Sequence, residues 1–377
     1  MKNLKDTIQE LENIAKDPGS AVRNAMNATG KKAVGCFPIY TPEEVVYAAG
    51  YLPVGMWGGQ MTGSRSAKYL QGFCCSIMRA NTEQALAGKY DFLSAVIITS
   101  YCDTLKCIIE DWKVAVPHLN IIPIVYPQNR KIDAGKEYFV EELKRTGREL
   151  EALAGTEITD SRLTEAIDLY DIYRKEMQEF SELAGKCPDI ITPLSRHLII
   201  KAGYFMDKSD YIEKIKIIND GLRQAEKPET ENRKKVILTG LMAESDGLLE
   251  IFEENGLTVV ADDLAQESRQ FRTLADKGGD PWHRMAERLS EQDGCSFLYD
   301  DKKSRCELLT DLKKKYDADA VIFCQLKFCD PEEFDYPLIK KKMAEENIPL
   351  LYLEIEQQMD SVEQLRTRVQ GFVEMLD

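Results

Sequence analysis

ADAVIFCQLKFCDPEEFD, residues 318–335, carries the pattern from which the fold is read. Its first half is a short, nearly continuous apolar run rich in Val, Ile and Phe, as expected of a strand buried on both faces. Its second half opens a helix, with Asp330 as the N-cap, Pro331 at the first helical position and Glu333 completing a capping box. Cys329 lies at the junction. A buried strand handed directly to a helix is the repeating unit of a parallel α/β sheet.

The same order recurs upstream at 94–107, SAVIITSYCDTLKC, where an apolar run leads to Cys102, then Asp103 as a cap for the amphipathic stretch TLKCIIEDW. Around these two units AVGCFPI, LPVGMW and NIIPIVY read as strands before residue 134, and KKVILTG, LTVVADD and IPLLYLEIE read as strands after 232. Between them EELKRTGRELEALAG, RLTEAIDLYDIYRKEMQEFSELAG and DYIEKIKIINDGLRQAEK keep helical periodicity. The expected fold is α/β, with two parallel-sheet, Rossmann-like lobes and a helical segment between them. Its parts are 1–134 with leading helices, 135–232, and 233–377, and the polar stretch PETENRKK marks the second boundary.

With 377 residues the chain can bury a sizeable core. No apolar run approaches the roughly 20 residues of a membrane span. The N-terminal residues form an amphipathic helix through Leu4, Ile8, Leu11 and Ile14 rather than an export signal, so a cytoplasmic protein is expected. A formal charge of −15 argues against a nucleic-acid-binding surface, which needs clustered Lys and Arg. Ten cysteines in a reducing compartment are not disulfides and call for burial or metal.

Ligands of open α/β sheets bind beyond the carboxyl ends of the strands. Cys102 and Cys329 stand at such ends, and Cys75, in GFCCSIMRANTEQAL, faces another helix start. A thiolate there gains about 0.3–1 kcal/mol from the positive end of the peptide dipoles. Burial competes as an explanation, because cysteine is among the most buried residue types and no CxxC pair is present. Asp262, Asp263, Glu267, Arg269 and Arg272 read equally well as cleft residues or as a salt-bridged turn. Thr41, Pro42 and Glu44 read as a capping box, with Gly50 at the end of the helix that follows. His118, His197 and His283 show no metal-ligand spacing.

GCFPIYTPEEVVYAAGYLPVGMWGG, YCDTLK, ADDLAQESRQFR and FCDPEEFDYP together resemble the 2-hydroxyacyl-CoA dehydratase family, in particular its smaller, beta-type subunit. The resemblance runs in register from the first helix to the last. It implies a [4Fe-4S] cluster on Cys75, Cys102 and Cys329, with one iron left open to a small ligand. Cys74, Cys107 and Cys324 lie close to those positions in sequence; Cys107 is one helical turn beyond Cys102, while Cys324 falls inside a strand. For Cys36, Cys187, Cys295 and Cys306 packing is expected.

The resemblance also implies a chemistry. The hydroxyl of a 2-hydroxyacyl thioester sits on the alpha carbon, and the proton to be lost is on the unactivated beta carbon. One-electron reduction of the thioester carbonyl to a ketyl radical anion expels hydroxide and acidifies that proton, after which the electron is returned. The electron comes from a separate ATP-dependent iron–sulfur activator, in keeping with the lack of a Walker-type loop here. An alpha subunit, the other half of a heterodimer, carries a second cluster where the 2-hydroxyacyl-CoA substrate binds. Two rivals stand beside this reading: a subunit of a benzoyl-CoA-reductase-type enzyme, and a non-catalytic α/β binding module with merely buried cysteines.

Overall fold

A strand forms at each of the eight apolar runs in the computed structural model, which describes residues 2–376 apart from 62, 226–232, 246 and 360. They are β1 (Ala33–Cys36), β2 (Leu52–Gly55), β3 (Leu93–Thr99), β4 (Ile121–Ile124), β5 (Lys234–Gly240), β6 (Leu257–Leu264), β7 (Ala320–Leu326) and β8 (Leu350–Ile355). Two four-stranded sheets result, ordered β2-β1-β3-β4 and β6-β5-β7-β8, and every pairing is parallel. All of β1, β6 and β7 is buried, which is why those runs show no polar alternation.

Helices supply the cover. In the first lobe these are α1 (Lys2–Lys16), α2 (Pro18–Thr29), α3 (Glu43–Ala48), α4 (Ser76–Leu86) and α5 (Asp103–Ala115). The helical stretch holds α6 (Asp133–Ala154), α7 (Asp160–Ala184), α8 (Pro193–Ala202) and α9 (Lys208–Gln224). The second lobe carries α10 (Leu248–Glu254), α11 (Ser268–Phe271), α12 (Pro281–Glu291), α13 (Arg305–Tyr316), α14 (Asp330–Glu345) and α15 (Glu363–Glu374). The apolar face of α1 packs not on the first sheet but on the helical layer, where Leu4, Ile8 and Leu11 share a core with Tyr170, Ile199 and Ile215. Most of the stretch PETENRKK, with the boundary at 232, lies outside the described residues.

Two local readings need correction. The helices after Cys102 and Cys329 start one residue earlier than the Asp-cap pattern suggests, since the two cysteines are themselves the N-caps and Asp103 and Asp330 are the first helical residues. The TPEE stretch does not form a capping box: Pro42 is the N-cap of α3, and the Thr41 hydroxyl donates to the Phe37 carbonyl instead. Glu44 is drawn into the core because Arg174 on α7 awaits it there as a buried ion-pair partner. Gly50 does end the helix as expected, with φ +88°.

Candidate functional site

In each sheet the chain leaves the central strand in one direction and returns on its other side, which opens a crevice at the carboxyl ends. The first such point lies between β1 and β3 and the second between β5 and β7. The two crevices face one narrow recess open to solvent, with a cavity volume of about 30 Å³. Its walls come from both: Pro38 and Ile39 after β1, Cys102, Thr104 and Leu105 after β3, Leu241 after β5, and Phe328, Cys329, Asp330 and Pro331 after β7. Cys75, Ile77 and Met78 enter from the start of α4, and Phe297 closes one side.

Cys75, Cys102 and Cys329 are thus brought together, and each is the N-cap of its helix, α4, α5 and α14 respectively. Just before the last of them Phe328 takes φ +63°, a conformation uncommon for a bulky residue, as the chain turns from β7 into α14. The gain that a helix N-terminus offers a thiolate is opposed here by burial. Burial pushes the Cys75 thiol up to about 12, although the Met78 and Ile77 N–H groups pull the other way. Cys329 is pushed well up, first by burial and then by the Glu332 carboxylate and Cys75; burial also raises Cys102. Desolvation can move a buried group by 3–5 units, whereas the helix dipole is worth about 1 kcal/mol or less. Without metal the recess therefore holds thiols, which are poor nucleophiles at neutral pH.

Among the described residues no three His, Cys, Asp or Glu side chains are grouped to hold a metal ion. Donors to one ion crowd to about 2.3 Å from it, whereas a cluster offers a separate iron to each thiolate and takes a wider set. The remaining cysteines stand apart from the recess walls. Cys107 is exposed, Cys74 is buried behind Cys75 without lining the recess, and Cys324 is core of β7. Cys36, Cys187 and Cys295 are buried and Cys306 is half-buried.

The acidic and basic residues of ADDLAQESRQFR do not line the recess; they form the salt-bridged turn. Arg269 donates to both oxygens of Asp263 at 3.0 and 2.9 Å and to Glu332 at 2.9 Å, all three side chains being fully buried. Arg272 and Arg305 add ion pairs to Asp263 at 2.6 and 2.8 Å. Close by, Arg196 pairs with both Asp262 and Glu267. The two carboxylates respond oppositely: Glu267 is held down to about 2, against its burial, chiefly by Arg196 and His197, while burial and the Glu267 charge raise Asp262. His197 Nδ1 also stands 3.0 Å from Glu267, and Asp262 accepts from the Leu264 and Ser268 N–H groups at 3.0 Å. His118 and His283 make exposed contacts with Asp91 and Asp280. The network's partners, Glu332, Arg305 and Arg196, carry no sequence signal of their pairing, since each lies 30 or more residues from at least one partner.

Comparison with known proteins follows the same line. The family described as 2-hydroxyglutaryl-CoA dehydratase, D-component, matches residues 38–376. The chain is 43% identical to the (R)-phenyllactyl-CoA dehydratase beta subunit of Clostridium sporogenes over 376 residues, covering 100% of both chains. It is 40% identical to the lactoyl-CoA dehydratase subunit beta of Anaerotignum propionicum, again over 100% of both. With the (R)-2-hydroxyglutaryl-CoA dehydratase subunit beta of Acidaminococcus fermentans it shares 34% identity over 98% of each chain. Since the family match covers residues 38–376, every wall of the cysteine recess included, and the relatives match over nearly the whole chain, the chain belongs to the 2-hydroxyglutaryl-CoA dehydratase D-component family.

Proposed function

We propose that this chain is the beta subunit of a heterodimeric (R)-2-hydroxyacyl-CoA dehydratase, a hydro-lyase, and that Cys75, Cys102 and Cys329 hold a [4Fe-4S] cluster. One observation carries the reading: three N-cap cysteines, two from the first lobe and one from the second, converge on a single recess. Three soft sulfur donors without a carboxylate or imidazole set suit iron–sulfur chemistry. When bound, the cluster supplies a low-potential electron for substrate reduction.

The chain's own residues prepare the place. Each thiol gives up its proton as iron binds, so the burial that keeps the metal-free sulfurs neutral does not oppose thiolate ligation by a cation. Ile39, Ile77, Met78, Leu105, Leu241 and Phe297 keep the walls apolar, and the N-termini of α4, α5 and α14 present N–H groups toward the negative charge a reduced site carries. Apart from the thiols, only Thr104 and Asp330 bring polar side-chain atoms among the lining residues. Acid–base work on the 2-hydroxyacyl-CoA and binding of its polyanionic carrier are therefore assigned to the alpha subunit. The electron arrives from an ATP-dependent iron–sulfur activator protein.

Anaerobic co-purification with an alpha-type subunit tests this. The expected outcome is bound iron and sulfide, an absorption band in the visible, and conversion of a 2-hydroxyacyl-CoA to a 2-enoyl-CoA with no net reduction once activator and ATP are added. The chain with activator but no alpha subunit should be inactive. A ring-reduced aromatic product would favour the benzoyl-CoA-reductase-type reading, and a colourless, iron-free complex the binding-module one.

A further inference from the structure

The cysteine set is divided between two lobes, so its spacing depends on what fixes one lobe against the other. The segment just after β8, residues 356–358, lies across that junction. Gln357 is 3% exposed and makes three hydrogen bonds, all to the first lobe. Its Nε2 donates to the Trp57 carbonyl at 2.8 Å, its Oε1 accepts from the Gly59 N–H at 3.2 Å, and its own N–H donates to the Ser76 hydroxyl at 3.3 Å. Ser76 is the residue after Cys75. Gln358 adds a bond from the Met61 N–H at 3.1 Å.

Glu356 works beside it. Its carboxylate pairs with Arg79 on α4, whose Nε donates at 2.9 Å to the carbonyl of Cys74, the residue before Cys75. The other oxygen of Glu356 stands 3.8 Å from Lys327 Nζ, and the Lys327 N–H donates to the Ile355 carbonyl at 2.9 Å. Lys327 lies two residues before Cys329. The segment thus holds the residues flanking Cys75 on both sides; toward Cys329 it adds the Glu356–Lys327 pair, beside a closer Glu354–Lys327 pair at 3.4 Å. Gly58 shows how close the fit is, for a Cβ there would lie 2.2 Å from Gln357 Oε1.

The geometry points to Gln357 and Glu356 as positioning residues that set the distance between Cys75 and Cys329 across the lobes. The inference rests on the ligand set proposed above. Neither residue lines the recess, so each acts through the cysteine loops it holds.

The test uses the full chain purified anaerobically with its alpha-type partner, as wild type, Gln357→Leu, Gln357→Glu, Glu356→Gln and an exposed control on α15, Gln370→Leu. Iron release to a ferrous chelator is timed, the EPR signal of the dithionite-reduced protein is recorded, and melting of the metal-free chains is followed. Gln357→Leu is expected to release iron at least tenfold faster than wild type, about 1.4 kcal/mol, with an altered EPR signal. Gln357→Glu keeps the acceptor for Gly59 but sets a buried carboxylate against the Trp57 carbonyl, and should release iron at least as fast as Gln357→Leu. Glu356→Gln, on a quarter-exposed side chain that folding tolerates, should also release faster while its metal-free chain melts with wild type and Gln370→Leu matches wild type throughout; the metal-free Gln357→Leu chain should melt lower, since the Trp57 carbonyl and the Gly59 N–H lose their partner. Iron-loaded wild type with equal release from Gln357→Leu and Glu356→Gln overturns the inference. So does faster release confined to variants whose metal-free chain melts lower. Absence of iron from the wild-type complex overturns the cluster reading itself.

Discussion

Replacing Arg269 by Met removes the centre of the buried ionic network while keeping an unbranched apolar side chain in its place. The guanidinium makes four hydrogen bonds to Asp263 and Glu332 at 2.9–3.0 Å, with every partner side chain fully buried. Breaking a buried pair by removing one partner costs about 3–5 kcal/mol, because the charge left behind is uncompensated. Here Asp263 keeps Arg272 and Arg305, and Glu332 keeps Arg305 at 2.7 Å, so the loss belongs at the lower end, about 3 kcal/mol. Stability measured by anaerobic guanidinium unfolding should fall by that amount. Adding Glu332→Gln to Arg269→Met should restore part of it, since a neutral amide costs less to bury than an unpaired carboxylate. Because Glu332 stands in the first turn after Cys329, iron content should fall as well. A loss below about 1 kcal/mol, typical of an exposed pair, would show that the network is solvated and the reasoning wrong.

Serine in place of Cys75, Cys102 or Cys329 should lower iron content severely, since a hard oxygen replaces a soft thiolate, whereas Cys187→Ser and Cys107→Ser should keep it; iron and acid-labile sulfide analysis decides, and full occupancy in Cys102→Ser or Cys329→Ser would remove the site assignment. Burial is outweighed by Arg196 and His197, which hold Glu267 down to about 2 from the ordinary 4.5, so its contribution is fully present above about 4.5 and disappears as pH falls from there to about 2. Melting temperature against pH should drop through that window, and Glu267→Gln should both lower stability at neutral pH and flatten the profile; an unchanged profile would contradict the Arg196 and His197 pairing. Gly58→Ala should destabilise by about 1–3 kcal/mol, since φ is +84° and the new Cβ would lie 3.0 Å from the Ile77 Cα; a neutral result in thermal unfolding would mean the 57–61 loop can move away.

The inner strands were legible because parallel strands buried on both faces leave unbroken apolar runs such as VILTG or AVIFC, and the edge strands β4 and β8, which alternate in burial, were legible from their Ile- and Leu-rich runs. The long helices α6, α7 and α9 were legible from periodicity over 17 or more residues. Caps were less so. Asp103 and Asp330 have the chemistry of an N-cap, yet the cysteine before each takes that position and points its sulfur toward the recess, a choice set by tertiary packing. Glu44 misled for a similar reason, since its sequence neighbours favour a cap while its partner Arg174 is 130 residues away. Pro38, Ile39, Leu241 and Phe297 could not be foreseen as recess walls, because nothing local marks which strand-end loops face the other lobe.

The two lobes explain the form of the cysteine set. Written from each lobe's own first strand, both sheets have the order 2-1-3-4. Cys102 follows the third strand of the first lobe and Cys329 the third strand of the second, so the repeated order of strand, cysteine, Asp and helix at 94–107 and 318–335 marks equivalent places in a duplicated topology. Facing lobes bring those two helix starts to the same recess. Cys75 lies in the connection after the second strand of the first lobe, and the matching connection of the second lobe, between β6 and β7, carries Cys295 and Cys306, neither of which lines the recess. That connection also holds the ADDLAQESRQFR turn, whose Arg269 reaches Glu332 in the first turn of α14. In the first lobe that position adds a third cysteine to the recess; in the second it supports the helix that starts at Cys329. A two-plus-one division follows, and with it the dependence of the proposed site on contacts that hold the lobes in register.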